Sequence, residues 1–422
     1  MINLNGKKLL MMGGGAFAKD VRRYADLTGF TMIALGKTEG VHSTFSHEYY
    51  SVDTTDIEEI VKLIKEKQVD GIFVGASEVN IRPAIKIAER TGLHFYATQK
   101  QWDILADKEA FKNLLKTHEL PIIREYSEGV DPTTIEYPVI VKPVDGSGAC
   151  GITVCRKANE LKLAVEYAKS FSFCGRVIIE SFLEGIDDTF IRYHFQNGNY
   201  SISSSFDKYS DFSEGGFTGM PLIYTHPTKH LKAYMEKCDG KMQSLFREIG
   251  LQNGVITLQG FVDKNEDFYF YEAGYRLGGS QSYIFTDAVN QSNSLHYMIN
   301  HALTGYMADY SIADRDNPWF DKACCNQYIP LKSGTLTAIN GLSEIRKMPG
   351  VLNVTQMCPV GTVIEQSGNL NQVCLRMHLM ADSWKDMDKL ISQVDDTLQI
   401  FDENGNDMRM RHIRAISDVI MI

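Results

Sequence analysis

The 422-residue sequence lacks any run of 18 apolar residues, and its first stretch, MINLNGKKLLMMGGG, lacks an apolar segment followed by a cleavage site. No membrane span and no secretion are expected, and the chain reads as cytoplasmic. It also lacks the basic balance of a nucleic-acid binder. Its 53 acidic residues outnumber 43 basic ones, giving a net charge of −10, so no nucleic-acid partner is expected. None of the eight cysteines forms a C-x-x-C pair, although Cys324 and Cys325 are adjacent; reduced thiols fit that pattern. No internal repeat or low-complexity tract is found. What is present, 44% hydrophobic and 23% charged residues, is an ordinary globular composition long enough for two or three domains.

Strands are predicted at 7–12, 31–35, 71–75 and 93–97, separated by helices up to Gly29, from Asp56 to Lys67 and around 80–91. Strands alternating with helices imply a parallel, doubly wound sheet. Gly13 to Ala18 fits the G-x-G-x-x-A turn of a dinucleotide fold. The second strand, however, ends Ala34-Leu35-Gly36-Lys37, with no acid to hold a ribose. The glycines therefore read as a tight strand-to-helix turn. A long helix over 101–118 follows, then strands at 122–126 and 139–142, a helix over 159–169 and a strand at 176–181. Two antiparallel strands precede residues 211–227, which are aperiodic and expected to be a mobile loop beside a site. A helix over 228–249, a hairpin of 254–262 with 268–274, and a helix over 290–304 come next. From Ala323 a smaller α+β domain is predicted, with helices at 343–347 and 384–399.

Four features stand in order along this frame. Asp107-Lys108 lies on or near a helix. Val139-Ile-Val-Lys142 is an apolar strand ending in a cation, followed by Gly146, Ser147, Gly148 and Gly151. Such a loop brings backbone N–H groups close to an anion, and with the lysine it suits a polyphosphate. It is not a Walker A motif, because the lysine precedes the glycines. Val177-Ile-Ile-Glu180 is an apolar strand breaking into the carboxylate-bearing segment Glu184-Gly185-Ile186-Asp187. Gln259 and Glu272 sit on the two arms of a hairpin, with Arg276 and two glycines behind them. Oxygen ligands on neighbouring strands suit Mg²⁺, which keeps waters and phosphate oxygens as its other ligands.

In this order of motifs the chain resembles the ATP-grasp superfamily, specifically its carboxylate–amine ligases. The segment Gly334 to Leu342, with Pro349-Gly350-Val351 and Val360-Gly361-Thr362 after it, is similar to that of bacterial L-amino acid ligases. The resemblance implies a mixed α/β and α+β architecture: a doubly wound pre-ATP-grasp domain over 1–100, an ATP-grasp domain over 101–315 with a lid at about 122–185, and a C-terminal α+β domain over 316–422. It implies ATP with Mg²⁺, Mn²⁺ being an alternative, and a homodimer. Lys108 and Lys142 match the two phosphate-contacting lysines, and Gly146 to Gly151 the loop that closes over the phosphates. Glu180 matches the adenine-side carboxylate, with Phe182 and Leu183 offering backbone contacts. Asp187 falls at the ribose position, with Asp188 an equal contender. Gln259 and Glu272 match the metal positions, and Arg276 the arginine facing the transferred phosphate. Lys208 either approaches the phosphates or sits in an exposed turn. The usual E-x-N-x-R becomes Glu272-Ala-Gly274-Tyr-Arg276, so a third metal ligand is missing.

The implied chemistry joins a small carboxylic acid, an amino acid included, to an amine. The acid attacks the γ-phosphate to give an acyl phosphate and ADP, and the amine then displaces phosphate, with Lys142 and Arg276 stabilising charge. Rival readings are a purine-pathway or carboxylase-type enzyme, which the C-terminal segment argues against, a nucleotide-binding protein without turnover, and a dinucleotide-dependent oxidoreductase. Glu78 stands where a doubly wound sheet binds ligands, but N-capping by Ser77 explains the same residues more cheaply. His226 and His301 read as packed or exposed side chains rather than ligands.

Overall fold

The computed structural model describes residues 2–144, 151–213 and 219–420. At its N-terminal end β1 (Lys8–Met12), β2 (Thr31–Leu35), β3 (Glu48–Tyr50) and β4 (Gly71–Phe73) form a parallel sheet in the order β3-β2-β1-β4. Both faces are covered, which is why β1 and β2 are apolar runs rather than alternations. Leu10, Met12 and Ile33 pack with α3 (Ile57–Lys67) and α4 (Ile81–Thr91). Leu9, Met11, Met32 and Phe73 face the other way, onto α1 (Ala18–Thr28) and the distant helix Ser294–Thr304. The predicted strand at 93–97 is absent. Its aromatic alternation serves side-chain packing instead: the Tyr96 ring meets Tyr275 edge-on at 5.1 Å, and Tyr275 donates to the Tyr96 carbonyl at 2.9 Å. The short strand β3, polar and only half-buried, carries no apolar signal and was not predicted.

The helix expected over 101–118 is two helices, α5 (Gln99–Ala106) and α6 (Lys108–Thr117). Asp107 breaks it by accepting from the backbone N–H groups of Glu109 and Ala110 at 2.9 and 2.8 Å, an N-cap in place of a helical turn. Lys108 thereby becomes the first residue of a helix and is exposed.

A small antiparallel sheet follows: β5 (Glu125–Tyr126), β6 (Val139–Pro143), β7 (Thr153–Cys155) and β8 (Val177–Ser181), ordered β5-β8-β6-β7. It is backed by α7 (Leu161–Ser170) through its own core of Val139, Val141, Leu161, Ala164 and Ile179. It falls within the 122–185 segment expected to be a lid, and only two residues of the expected 122–126 strand pair.

The third sheet is antiparallel and eight-stranded. Its members are β9 (Asp187–Gln196), β10 (Asn199–Asp211), β11 (Met220–His226), β12 (Gly254–Val262), β13 (Phe268–Gly274) and β14 (Ala323–Pro330), then β17 (Val351–Gln356) and β19 (Val373–Ala381). The short ribbons β15 (Gly334–Thr335) with β18 (Val363–Ile364), and β16 (Ala338–Asn340) with β20 (Gln399–Phe401), lie outside it. The order β13-β12-β9-β10-β11-β14-β19-β17 corrects two expectations. Residues 220–226 are a strand, not part of a loop; nearly every side chain in it is buried, so no alternation marked it in the sequence. The chain after Ala323 extends the central sheet through β11 and β14, with Ile223 opposite Gln327, rather than building a separate one. It nevertheless has its own core, where Leu375, Met377 and Leu379 meet Met387, Ile391 and Val394 of the helix Trp384–Thr397.

The N-terminal sheet is held against the rest of the chain at close range. A Cβ at Gly71 would collide with the Ala302 carbonyl of the helix Ser294–Thr304. Gly71→Ala is therefore expected to cost about 1–3 kcal/mol through forced overpacking. A thermal-unfolding midpoint equal to that of the parent would show that the joint yields at no cost.

Candidate active site

Period-two alternation places alternate residues of the large sheet on one face. Asp188, Phe190 and Arg192 of β9 share that face with Phe206 and Lys208 of β10, Tyr224 of β11, Tyr328 of β14 and Arg376 of β19. The registers Asp188↔Lys208, Phe190↔Phe206, Lys208↔Tyr224 and Tyr328↔Arg376 fix their neighbours. Four rings run across the strands. Phe190 stacks on Phe206 at 4.5 Å, Phe206 on Tyr224 at 5.2 Å, and Tyr224 meets Tyr328 at 4.7 Å.

Between this sheet and the lid lies a cleft of about 720 Å³, lined by Lys108, Lys112, Lys142, Arg176, Glu180 and Tyr271 among others. Glu180 is its electrostatic centre. The carboxyl, 5% exposed, receives Lys142 Nζ on one oxygen and Lys112 Nζ, at 3.1 Å, on the other. Burial alone would raise its pKa; Lys142 and Lys112 together outweigh that and hold it below its ordinary value. Lys112 also pairs with Glu125. It follows Lys108 by one helical turn, so both lysines reach the cleft from one face of α6.

The predicted ribose acid is corrected. Asp187 points away from the site face, where it accepts from Lys229 at 2.9 Å and pairs with His230 at 3.0 Å. The His230 hydrogen bond, with Lys229, lowers its pKa. Asp188 is the residue on the cleft side, accepting from Tyr271 at 3.0 Å and paired with Lys208 at 3.3 Å. Burial pushes the Asp188 carboxyl up against the opposing pull of Lys208. Lys208 is thus a strand residue in the site, not an exposed turn. The Phe182 backbone N–H is committed to the Pro138 carbonyl at 2.9 Å. Gly151 has a packing role. Its φ is +75°, and a Cβ there would meet Phe171 at 2.7 Å and Pro143 at 2.9 Å. Gly146, Ser147 and Gly148 lie outside the described residues.

Gln259 and Glu272 face each other across β12 and β13, with Gln259 Nε2 donating to Glu272 Oε1 at 2.9 Å. Burial, then the charge of Glu78, raises the Glu272 pKa; Arg276, Lys108 and Gln259 oppose them. Arg276 donates to Glu78 Oε1 from Nη2 at 2.7 Å and from Nε at 3.1 Å. Glu78 is therefore part of this constellation. The cheaper explanation through Ser77 fails, because Ser77 makes no side-chain cap hydrogen bond. The glycine turn holds Glu78 in place: Gly13 and Gly14 adopt φ of 75° and 74°, and Asn80, two residues after Glu78, donates to the Met12 carbonyl at 2.8 Å. His226 is buried, with a pKa lowered by burial to about 3, and His301, lowered by burial to about 4, is buried too, so both stand as packed neutral rings.

A family model for the ATP-grasp domain matches residues 135–283, from the lid to the hairpin that carries Glu272. That stretch matches an ATP-grasp domain. The ATP-grasp fold extends over the whole chain. The biotin carboxylase domain of Hydrogenobacter thermophilus 2-oxoglutarate carboxylase, solved with magnesium ADP and bicarbonate, is similar with a TM-score of 0.76 at 19% identity, covering 93% of this chain and 90% of that one. The L-amino acid ligase of Bacillus licheniformis is similar with a TM-score of 0.76 at 18% identity, covering 95% and 99%. By sequence, the formate-dependent phosphoribosylglycinamide formyltransferase of Methanococcus maripaludis is 27% identical over 192 residues, covering 43% of this chain and 49% of that relative. The chain thus spans about half the length of the curated relatives it matches first.

Within the ATP-grasp frame, the side chains fit a single divalent ion modestly. Glu272 offers one carboxylate and Gln259 one neutral oxygen, and among the described residues no group of three or more His, Cys, Asp and Glu could hold a metal. An ion there would need phosphate and water oxygens to complete its shell. Among the described residues no helix is long and apolar enough to cross a membrane. Sequence reasoning passed over Lys112, Arg192 and Arg376. The i, i+4 spacing from Lys108 could have flagged Lys112. A lone arginine inside the apolar runs Phe190-Ile-Arg-Tyr and Val373-Cys-Leu-Arg-Met could have flagged the others.

The shared carboxylate generates a prediction. Because Glu180 titrates below its ordinary value of 4.5 in the folded chain, its ion pairs stabilise the fold above that pH, and the stabilisation is lost as pH falls through the folded value. Lys112→Met removes one cation. It is expected to cost about 1–3 kcal/mol at neutral pH and to move the acid limb of the stability profile to higher pH. Denaturant midpoints measured from about pH 3 to pH 7 would read this; superimposed acid limbs would mean that Lys112 does not hold the carboxyl.

Proposed function

We propose that the chain is an ATP-dependent carboxylate–amine ligase that works through an acyl phosphate. The observation that supports this most is the convergence of two kinds of group on one sheet face. Lys108 and Lys142 line the cleft, and the charges of Lys108 and Arg276 both act on Glu272, which is bonded to Gln259. A nucleotide lying along the cleft from Glu180 would direct its phosphates toward Glu272.

In this reading Lys142 exchanges Glu180 for phosphate oxygens when ATP enters, and Lys112 keeps Glu180 ionised after the exchange. Glu272 and Gln259 would hold Mg²⁺, which when bound neutralises phosphate charge. The carboxylate of the acid substrate attacks the γ-phosphorus in line; the bond to the β–γ bridging oxygen breaks and ADP leaves. Arg276 lies where charge gathers on the transferred group, and positioning with charge stabilisation accounts for most of the rate. The incoming amine then attacks the acyl carbon, phosphate departs with the bonding pair, and the amine loses a proton to a nearby base. Glu78, bonded to Arg276 and half-exposed, is placed to orient that amine.

The test is a trap for the activated acid. Protein, ATP and Mg²⁺ are incubated with pools of small carboxylates and hydroxylamine, and hydroxamate and ADP are measured together. The expected result is hydroxamate in step with ADP, with Lys142→Ala reducing both by roughly 100-fold or more. AMP in place of ADP, or full activity in Lys142→Ala, would overturn the reading. The formate-dependent relative supports a second reading, formyl transfer to an amine, and formate belongs in the pools for that reason.

A further inference from the structure

Arg192 is 4% exposed and Arg376 is 6% exposed, yet neither forms an ion pair among the described residues. Arg192 Nε donates to Thr257 Oγ1 at 3.0 Å, and among the described residues its Nη atoms donate to no other group. Arg376 donates its Nη atoms to the Gly279 carbonyl and to Gln281 Oε1, leaving its Nε without a partner. Two cations taken out of water without a counter-charge are costly. The nearest arginine, Arg276, is already matched by Glu78. Burial, helped by the Arg276 charge, lowers the Arg192 pKa to about 10, so it remains protonated at neutral pH.

The two guanidinium groups stand on either side of the same backbone. A Cβ at Gly278 would collide with Arg192 Nη2, whereas a Cβ at Gly279 would meet nothing within 4 Å. The glycine pair thus admits the arginines and leaves open space beside them. The ring row begins beside Arg192, whose Cζ lies 5.9 Å from the Phe206 centroid. Along the strand the position is fixed. Arg192 is opposite Thr257, which is opposite Gly274; two residues on, Gln259 is opposite Glu272. At the rise of an extended strand this offsets Arg192 from the Gln259–Glu272 pair by about 7 Å along the strand.

Resting on the ligase reading above, we propose that Arg192, supported by Arg376, holds a second carboxylate on the acid substrate, so that the activated acid is a small dicarboxylate of roughly four to five carbons. One carboxylate reacts at the Glu272 and Arg276 end while the other is anchored at Arg192, with the connecting carbons over the rings. Among the described residues the anchor offers few free N–H groups, mainly the Arg192 fork. That matches the two oxygens of a carboxylate better than the three of a phosphate.

The experiment compares succinate and glutarate with their monoamides and with 3-phosphonopropionate in the hydroxamate assay, alongside thermal protection by glutarate in the absence of nucleotide. In the parent chain kcat/KM for a dicarboxylate is expected to exceed that for its monoamide by roughly 100-fold. Arg192→Gln should collapse that ratio to within about 5-fold, with Arg192→Lys intermediate because it keeps the charge and loses the fork. Glutarate should raise the parent's melting temperature by about 2 °C and leave that of Arg192→Gln unmoved. Equal use of acid and monoamide by the parent, preference for the phosphonate, or a ratio unaltered by Arg192→Gln overturns the proposal while leaving the ligase intact. Protection by glutarate that needs Arg192, without hydroxamate from any acid, supports the anchor and removes the ligase reading instead.

Discussion

The period-two alternation of one antiparallel sheet governs where charge can be placed in this molecule. The eight strands bury one face on helices, so Asp188, Arg192 and Lys208 stand together on the other, at even spacings from Asp188 to Arg192 and from Phe206 to Lys208. A shift of one residue in β9 would exchange Asp188 for Asp187 and Arg192 for Ile191, sending the arginine to the place of Tyr193 in the aromatic core around Phe246. The register is strongly fixed on both sides, by β10 and by β12. The chemistry of the site therefore depends on the same hydrogen-bond ladder that holds the fold.

Charge compensation then divides the site into two regimes. In the cleft beside the small sheet the carboxylate of Glu180 is shared by two lysines, so cation and anion are present together and either can be released to a ligand. Around Arg192 and Arg376 no acid is supplied by the described residues. A site that carries its own counter-ion can exchange partners as a reaction proceeds; one that lacks it selects for a ligand that brings it. These are different uses of burial, one carried by β6, β8 and α6 and the other by β9 and β19.

Much of the architecture was legible because it rests on local signals. The hairpin of 254–262 with 268–274 was read to the residue, since apolar runs meet an Asp-Lys-Asn-Glu-Asp turn. Lys108, Lys142, Glu180, Gln259, Glu272 and Arg276 were legible as an ordered series; Lys108, Lys142 and Glu180 line one cleft, and Gln259 bonds to Glu272. The failures were non-local. Nothing in the sequence near Asp187 announces that His230 and Lys229, more than forty positions later, will claim it. Residues 220–226 hid because a strand buried on both faces has no period. The join of β14 to β11, which merges the C-terminal region into the central sheet, is a pairing across about a hundred residues that no local pattern encodes.

The Gln259–Glu272 pair is best understood together with the N-terminal sheet. Gln259 is neutral, so Glu272 is the single formal charge of the pair, and burial works against its ionisation. Glu78 contributes the second negative charge, but from another sheet and through Arg276. Its position depends on the left-handed turn at Gly13 and Gly14 and on the docking of the sheet against the helix Ser294–Thr304. Electrostatic balance around Glu272 and Arg276 is thus a property of how two parts of the chain are packed, and a packing fault at their joint would be felt first in the ionisation of Glu272.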